Sequence, residues 1–171
     1  MSSIDDSIDS VRDQWRSIVP ELDTSPMSIT GRIRVLSHAI QAGSDEVLAR
    51  HGLTRADFDI LSVLVRSGRP LSPTEITSQS LVSAPGTTKR LKKMTLEGLI
   101  ERTENPLDRR GSLIKPTQKA LAVFEPILES LSRYERDLLA QLGPRHIIQL
   151  TESLREFTSV VQAAGPRPTG S

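Results

Sequence analysis

Apolar residues recur at helical spacing from the N-terminal part of the chain onward. Between positions 27 and 50 they follow one another at steps of four, three, four and seven, at Ile29, Ile33, Leu36, Ile40 and Val47. Steps of three and four place side chains on one face of an α-helix. The pattern therefore predicts a helix over 27–50, with Gly52 as its stop.

Capping residues mark the starts of the next helices. Thr54, with Asp57 three residues later, precedes the run "FDILSVLVR" and predicts a helix that ends at Gly68. The motif "SPTE" at 72–75 is a capping box with proline at the first helical position. A further helix start follows in "SAPGTTKRLKKMTLEGL", residues 83–99. Two short helices joined by so tight a link predict a helix-turn-helix.

The pattern changes after Gly98. The runs "LIERTE" and "GSLIKP" are compatible with β-strands and flank the turn-forming "NPLDRR". They predict a two-stranded hairpin, or wing, whose tip carries Arg109 and Arg110. Two more helices follow the Thr117 cap, and the last has apolar positions at Ile147, Leu150, Leu154, Phe157 and Val161. The predicted fold is mainly α with a small β-wing.

Composition changes this picture in one respect. Aromatic residues make up only 3% of the chain, so aliphatic side chains must supply the apolar burial. The helices at the two ends of the chain carry more aliphatic residues than one small core can bury, which favours an intertwined homodimer. Ordinary packing within one chain is the alternative.

Charge is distributed unevenly, although the net charge is only +1. Residues 1–30 hold six acidic residues and two arginines, a net charge of −4. Residues 83–119 hold nine basic and four acidic residues, a net charge of +5. A local basic cluster is typical of a polyanion-binding surface, and a merely solvated basic face is the alternative.

Several classes of function are disfavoured. The chain has no cysteine, so thiol chemistry and thiolate metal sites are excluded. Its three histidines are widely separated, and no phosphate-binding, dinucleotide-binding or nucleophile motif is present. We expect no enzymatic activity, no metal and no cofactor. The acidic N-terminus and the lack of a long apolar run favour a cytoplasmic protein without a membrane span.

The order helix, helix, helix-turn-helix, wing, long helix, helix resembles the MarR family of bacterial winged-helix transcriptional regulators. The most specific match is the wing motif at Asp108, Arg109 and Arg110, followed by "LIKPT". The resemblance implies a winged helix-turn-helix DNA-binding lobe at about 54–116 and a helical dimerisation lobe from 27–50 and 117–163. It also implies a homodimer on double-stranded DNA. Outside these ranges we expect an acidic, helical extension at 1–26 and a disordered tail at 164–171.

The helix after the tight link is expected to read DNA. Leu91, Met94 and Leu99 can supply its inner side, which leaves for DNA or solvent Ser83, Thr87, Thr88, Lys89, Lys92 and Lys93. Residues near the start of such a helix usually reach base edges in the major groove. We therefore expect base contacts from Thr87, Thr88 and Lys89; a solvated polar face is the alternative.

In the wing, the family motif implies that Arg110 enters the minor groove or braces the hairpin. Asp108 would oppose phosphate, so we expect it to brace an arginine. Arg109 and Lys115 are expected to contact phosphates. A solubilising turn is the alternative.

The acidic extension contains the single tryptophan, Trp15, and resembles the urate-responsive branch of the family. That resemblance implies an effector pocket formed by Trp15, Asp59, Arg90 and Arg102 for a small aromatic or anionic ligand. Two cations facing an aromatic plate can hold a flat anion. The alternative is that Trp15 packs its helix onto the body and the arginines pair with acidic residues.

Together these observations predict a ligand-responsive regulator, and repression is the expected mode. It would bind a pseudo-palindromic operator as a homodimer. Two alternatives remain open: a sequence-nonspecific nucleoid protein, and a protein-interaction module that uses a winged helix.

Overall fold

The computed structural model describes residues 6–80, 84–105 and 108–165. Within these ranges seven helices and two strands follow in the order α1 (Ser7–Ile18), α2 (Met27–Arg50), α3 (Arg55–Ser67), α4 (Pro73–Gln79), α5 (Ala84–Leu96), β1 (Ile100–Asn105), β2 (Asp108–Pro116), α6 (Gln118–Leu139) and α7 (Pro144–Ala164). The predicted fold, mainly α with a small wing, is confirmed. No helix in the described ranges has both the length and the apolar character needed to cross a bilayer.

The predicted helix starts are confirmed in detail. Thr54 accepts a hydrogen bond from the Asp57 backbone, and the Asp57 carboxylate accepts one from the Thr54 backbone, which completes a capping box. Ser72 and Glu75 form the same reciprocal pair at the start of α4. Gly68 follows α3 with φ of 63°, a left-handed conformation that favours glycine. These local signals fix both ends of α3.

Helix α1 is attached to α2 by charge and by close packing. The Arg32 guanidinium pairs with Asp6 at 2.8 Å and also with Asp9. The Ile8 side chain lies over Gly31, where an added Cβ would be 3.0 Å from Ile8 Cδ1. Gly31 thus permits an approach that a larger residue would obstruct.

The two strands form an antiparallel wing that is tied to the body at its base. Leu71 forms a bridge with Ile114 through two backbone hydrogen bonds of 2.8 and 2.9 Å. Near the tip the register shifts, because Glu104 pairs with Ser112 whereas Asn105 pairs with Asp108. Residues 109–111 therefore lie between two ladder positions as a bulge.

The prediction that Arg109 and Arg110 lie in the hairpin turn is wrong. Both belong to the start of β2, since Asp108 already pairs across the wing with Asn105. Turn-forming residues before them suggested a longer loop, but cross-strand pairing continues closer to the tip than local sequence indicates.

The chain divides into two compact units, residues 1–128 and 129–171. The first unit holds an aliphatic core whose fully buried members include Leu48, Ile60, Leu61, Leu64, Leu71, Ile76, Leu91, Met94, Ile100, Ile114 and Ile127. Phe58 and Phe124 stack with ring centroids 5.5 Å apart. The core joins α3, α4, α5 and the wing, and so positions α5.

The second unit contains the end of α6 and all of α7. Helix α7 begins after Gly143, but none of its residues is buried. Its apolar stripe is exposed or half-exposed throughout, including Leu150, Leu154 and Phe157. The predicted stripe therefore exists, and the described residues do not bury it.

Candidate nucleic-acid interface

Helix α5 has one buried and one exposed face, as a recognition helix requires. Leu91 and Met94 are buried in the core of the first unit, as predicted. Thr88, Lys89 and Lys92 are exposed on the opposite side. A helix with this division docks on its domain while presenting polar and cationic groups to solvent.

The prediction for Thr87 is wrong. Its residue exposure is only 1%, so it cannot offer its side chain to a base edge in this conformation. The reason is helical geometry: Thr87 precedes Leu91 by one turn and shares its inward face. Ser83 lies outside the described residues.

A buried carboxylate holds α5 against α3. The Asp57 side chain has no exposed surface and receives hydrogen bonds from Arg90 at 3.0 Å and Lys93 at 3.1 Å. Arg90 also donates to the Thr54 hydroxyl at 2.7 Å. The residue that caps α3 is therefore also the anchor of α5.

Electrostatics favour the charged state of this anchor. Burial opposes ionisation of Asp57, but hydrogen bonds from Thr54, Lys93 and Arg90 outweigh it and lower the carboxyl pKa. The hydrogen bond to Asp57 raises the pKa of Lys93 in turn. An ionised pair persists at neutral pH and keeps the anchor intact.

Two lysines predicted to contact DNA have acidic partners. Lys93 pairs with Asp57 and, at 3.6 Å, with Glu97, and Lys115 pairs across the wing with Glu101 at 2.8 Å. Both remain about half exposed, so they add positive potential at the surface. Among the described residues, Lys89 and Lys92 form no ion pair. These two are the cations of α5 most available to a phosphate.

The structure describes only the backbone at Asp108, Arg109 and Arg110, the three residues of the wing motif. Their side-chain roles stay predictions. Their backbone lies at the end of the wing that projects beyond the Leu71 bridge.

The four predicted effector residues are not joined to one another. Trp15 is 44% exposed on α1, Arg102 is exposed on β1, and no hydrogen bond or ion pair links them to Asp59 or Arg90 in the described part of the chain. The Asp59 assignment stays a prediction; in this conformation the carboxylate that pairs with Arg90 is Asp57. Two residues along a helix turn the side chain by about 200°, so only one of the two can face α5.

The Asp57 anchor was missed at the sequence level. Its capping role was visible, but its contact with Arg90 joins residues 33 positions apart. The only available signal was an acidic residue that lies on the same face of α3 as the buried Leu61 and Leu64. A buried carboxylate at such a position requires cationic or hydrogen-bonding partners.

A short helix pair whose second helix exposes cations, followed by a two-stranded wing, defines a winged helix-turn-helix protein. The MarR family profile matches residues 51–111, which span this region. The transcriptional regulator PecS from Dickeya dadantii (strain 3937) is 32% identical over 129 residues, which cover 74% of this chain and 78% of PecS. The chain therefore belongs to the MarR family.

Solved structures agree at the level of the fold. A mutant of MarR from E. coli complexed with operator DNA superposes with a TM-score of 0.65 at 22% identity, covering 84% of this chain and 96% of that one. The organohalide-sensing regulator RdhR, in its ligand-free form, gives a TM-score of 0.70 at 20% identity, covering 86% and 87%. With the family relationship, these findings identify a DNA-binding transcriptional regulator rather than an enzyme.

Proposed function

We propose that this protein is a homodimeric, ligand-responsive repressor that binds a pseudo-palindromic operator. In each subunit α5 enters the major groove and the wing approaches the adjacent minor groove. The observation that carries the proposal is the exposed face of α5, where Thr88, Lys89 and Lys92 project from a helix fixed by the Asp57 anchor. Hydroxyl groups can bond either base type, and lysine favours guanine or phosphate.

The homodimer is supported by apolar surface that the chain leaves uncovered. Exposed aliphatic side chains occur along α2, at Ile29, Leu36 and Ile40, and along α7. Large exposed apolar patches mark interaction sites. A second copy that covers these stripes would place two α5 helices on successive half-sites about 34–36 Å apart.

The wing contact is supported by position. Arg109 and Arg110 lie in the bulge near the wing tip, and bulges re-aim the residues they contain. An arginine there is suited to the narrow minor groove, where the potential is most negative. We assign this role to Arg110, a phosphate contact to Arg109, and bracing to Asp108.

Ligand response is supported by the partial exposure of Arg90, the partner of Asp57. The Arg90 side chain is 32% exposed, so a small anion can reach it from solvent. An anion that binds Arg90 competes with Asp57 and weakens the attachment of α5 to α3. Trp15 and Arg102 are the proposed aromatic and second cationic contacts. Titration of urate or salicylate should then quench Trp15 fluorescence saturably, and an unchanged signal for both acids argues against this pocket.

The decisive experiment is selection from a random duplex pool at near-physiological salt, followed by anisotropy on the enriched duplex and a scrambled duplex. We expect an inverted repeat that binds at least about 1,000-fold more tightly than the scrambled duplex. Equal, salt-sensitive binding to both would instead support a nonspecific nucleoid protein. No binding to either duplex would support a protein-interaction module.

The wing assignment has its own prediction. Arg110→Ala should weaken binding to the enriched duplex by about 1–3 kcal/mol if Arg110 makes a groove contact. Arg145→Ala, which removes an exposed arginine of α7, is the matched control and should leave affinity unchanged. Equal affinities for the two variants would remove Arg110 from the interface.

A further inference from the structure

The turn at 97–99, directly after α5, is held by residues at the start of α6. The Thr117 hydroxyl donates to the Gly98 carbonyl at 2.7 Å, and the Thr117 backbone amide donates to the Leu99 carbonyl at 3.0 Å. The Lys119 ammonium donates to the Glu97 carbonyl at 2.8 Å. We call this set of bonds the Thr117 clasp.

The clasp joins the turn after α5 to the first turn of α6. Its acceptors are carbonyls of the turn at 97–99, and a lysine close to a helix C-terminus also complements the helix dipole. The Thr117 hydroxyl additionally accepts from the Ala120 amide at 3.2 Å, which caps α6. One hydroxyl therefore bonds both the turn after α5 and the beginning of α6.

The clasp also closes the base of the wing. The chain leaves α5 at Gly98, runs through β1 and β2, and returns to Thr117, 19 residues later. Helix α5 thus has two attachments: its side is bound to α3 through Asp57, and the turn directly after it is bound to the start of α6 through Thr117.

We propose that Thr117 is a positioning residue that fixes the direction of α5 and the wing relative to α6, and thereby sets the selectivity of DNA binding. The inference rests on the proposed homodimer, because two half-sites are read together only when both α5 helices keep a defined direction. Specific binding requires base contacts at both half-sites, whereas nonspecific binding needs only positive charge near phosphates. Loss of the clasp should therefore lower the affinity for specific DNA and leave the affinity for nonspecific DNA unchanged.

Thr117→Val tests this, because valine keeps the β-branched shape and removes the hydroxyl. We expect affinity for the enriched duplex to fall roughly three- to tenfold, the effect of one lost hydrogen bond of ordinary strength. Affinity for the scrambled duplex should stay within about twofold, since phosphate contacts are unchanged. Thr117→Ser keeps the hydroxyl and should restore wild-type selectivity.

Lys119→Met supplies a second test that leaves the α6 cap intact, in case the valine variant does not fold. It should lower the ratio of specific to nonspecific affinity in the same direction. A parallel loss on both duplexes would show a merely electrostatic or structural role and overturn the inference. So would unchanged selectivity in both variants.

Failure of this inference is distinguishable from failure of the proposed function. A wild-type protein that prefers no duplex overturns both. A selective wild-type protein with equally selective Thr117→Val and Lys119→Met variants overturns only the role of the clasp.

Discussion

Helices α3 and α7 have similar amphipathic patterns, but only α3 buries its apolar face. Helix α3 buries Ile60, Leu61 and Leu64 in the core of the first unit. Helix α7 is longer, and none of its residues is buried. The spacing of apolar residues therefore predicts a helix and its stripe, but it does not say which surface covers the stripe. For α3 that surface belongs to the same chain; for α7 we propose a second copy.

The largest expected effect comes from charging the α7 stripe. Leu154→Glu places a carboxylate at the centre of the proposed dimer contact, where an unpaired buried charge costs several kcal/mol. We expect the dimer to dissociate, with at least about a 100-fold rise in its dissociation constant. Analytical ultracentrifugation over a range of protein concentrations measures this change.

The matched control is Ser159→Glu, which adds the same charge on the opposite face of α7. It should leave the dissociation constant unchanged. If Leu154→Glu also left the dimer intact, α7 would not form the subunit contact, and the contrast with α3 would need another explanation.

The second-largest effect is expected from a substitution in α3 rather than in α7. Leu61→Ala removes a fully buried side chain and leaves a cavity, which should lower the free energy of unfolding by about 2–5 kcal/mol. Chemical denaturation should show this loss at low and high protein concentration alike. Leu61→Met, which nearly conserves volume, should cost less than about 1.5 kcal/mol. A loss that disappears at high concentration would indicate that Leu61 stabilises the dimer instead.

The contrast also shows what sequence can and cannot predict. The start of α3 follows from Thr54 and Asp57, because capping is a local interaction between residues three apart. The start of α4 is equally local, and both predictions are confirmed. Periodicity likewise predicted the buried Leu91 of α5.

Interactions between distant segments could not be predicted in this way. Asp57 contacts Arg90 only because α3 and α5 cross in space, and Asp59 is equally acidic in the sequence. Thr87 is a different case, because its spacing of four residues from Leu91 already placed it on the inward face, and its polar side chain led to the wrong prediction. The wing bulge at residues 109–111 depends on pairing with Glu104 and Asn105 rather than on turn residues alone.

The third effect tests the ion pairs that attach α3 to α5; among the described residues, α7 forms no ion pair. Asp57→Asn keeps the shape of the side chain but removes the charge that Arg90 and Lys93 face. Hydrogen bonds to charged groups contribute about 1.5–3 kcal/mol, so we expect a loss of about that size in the free energy of unfolding. Denaturant titration of the full chain measures it.

Asp59→Asn is the matched control for this change. Burial raises the pKa of Asp59, so its charged form is not favoured by its surroundings. Neutralising it should change stability by less than about 0.5 kcal/mol. A larger loss in Asp59→Asn than in Asp57→Asn would contradict the assignment of the anchor.

The smallest expected effect is on stability at acidic pH, and its test compares the start of α4 with the start of α7. The backbone amide of Ser72, the Arg69 guanidinium and the Ser72 hydroxyl lower the pKa of Glu75 to about 2. The pKa of Glu75 in the folded chain lies below its unfolded value of about 4.3. The stabilisation that its ionised carboxylate supplies is therefore present at pH values above the unfolded pKa. It is lost as the pH falls toward 2.

Helix α7 offers the comparison, since it begins at Gly143 without a side-chain cap and without an acidic residue in its first turn. Between pH 5 and pH 2, the free energy of unfolding should fall less steeply with falling pH in Glu75→Gln than in the wild type. The difference between the two slopes should correspond to at most about one bound proton. Glu152→Gln, an exposed change within α7, should leave the slope as it is in the wild type. Identical slopes for Glu75→Gln and the wild type would mean that the capping carboxylate of α4 does not couple to unfolding, and the acid sensitivity of the first unit would then rest on other carboxyls with a lowered pKa, which include Asp6, Asp23 and Asp57.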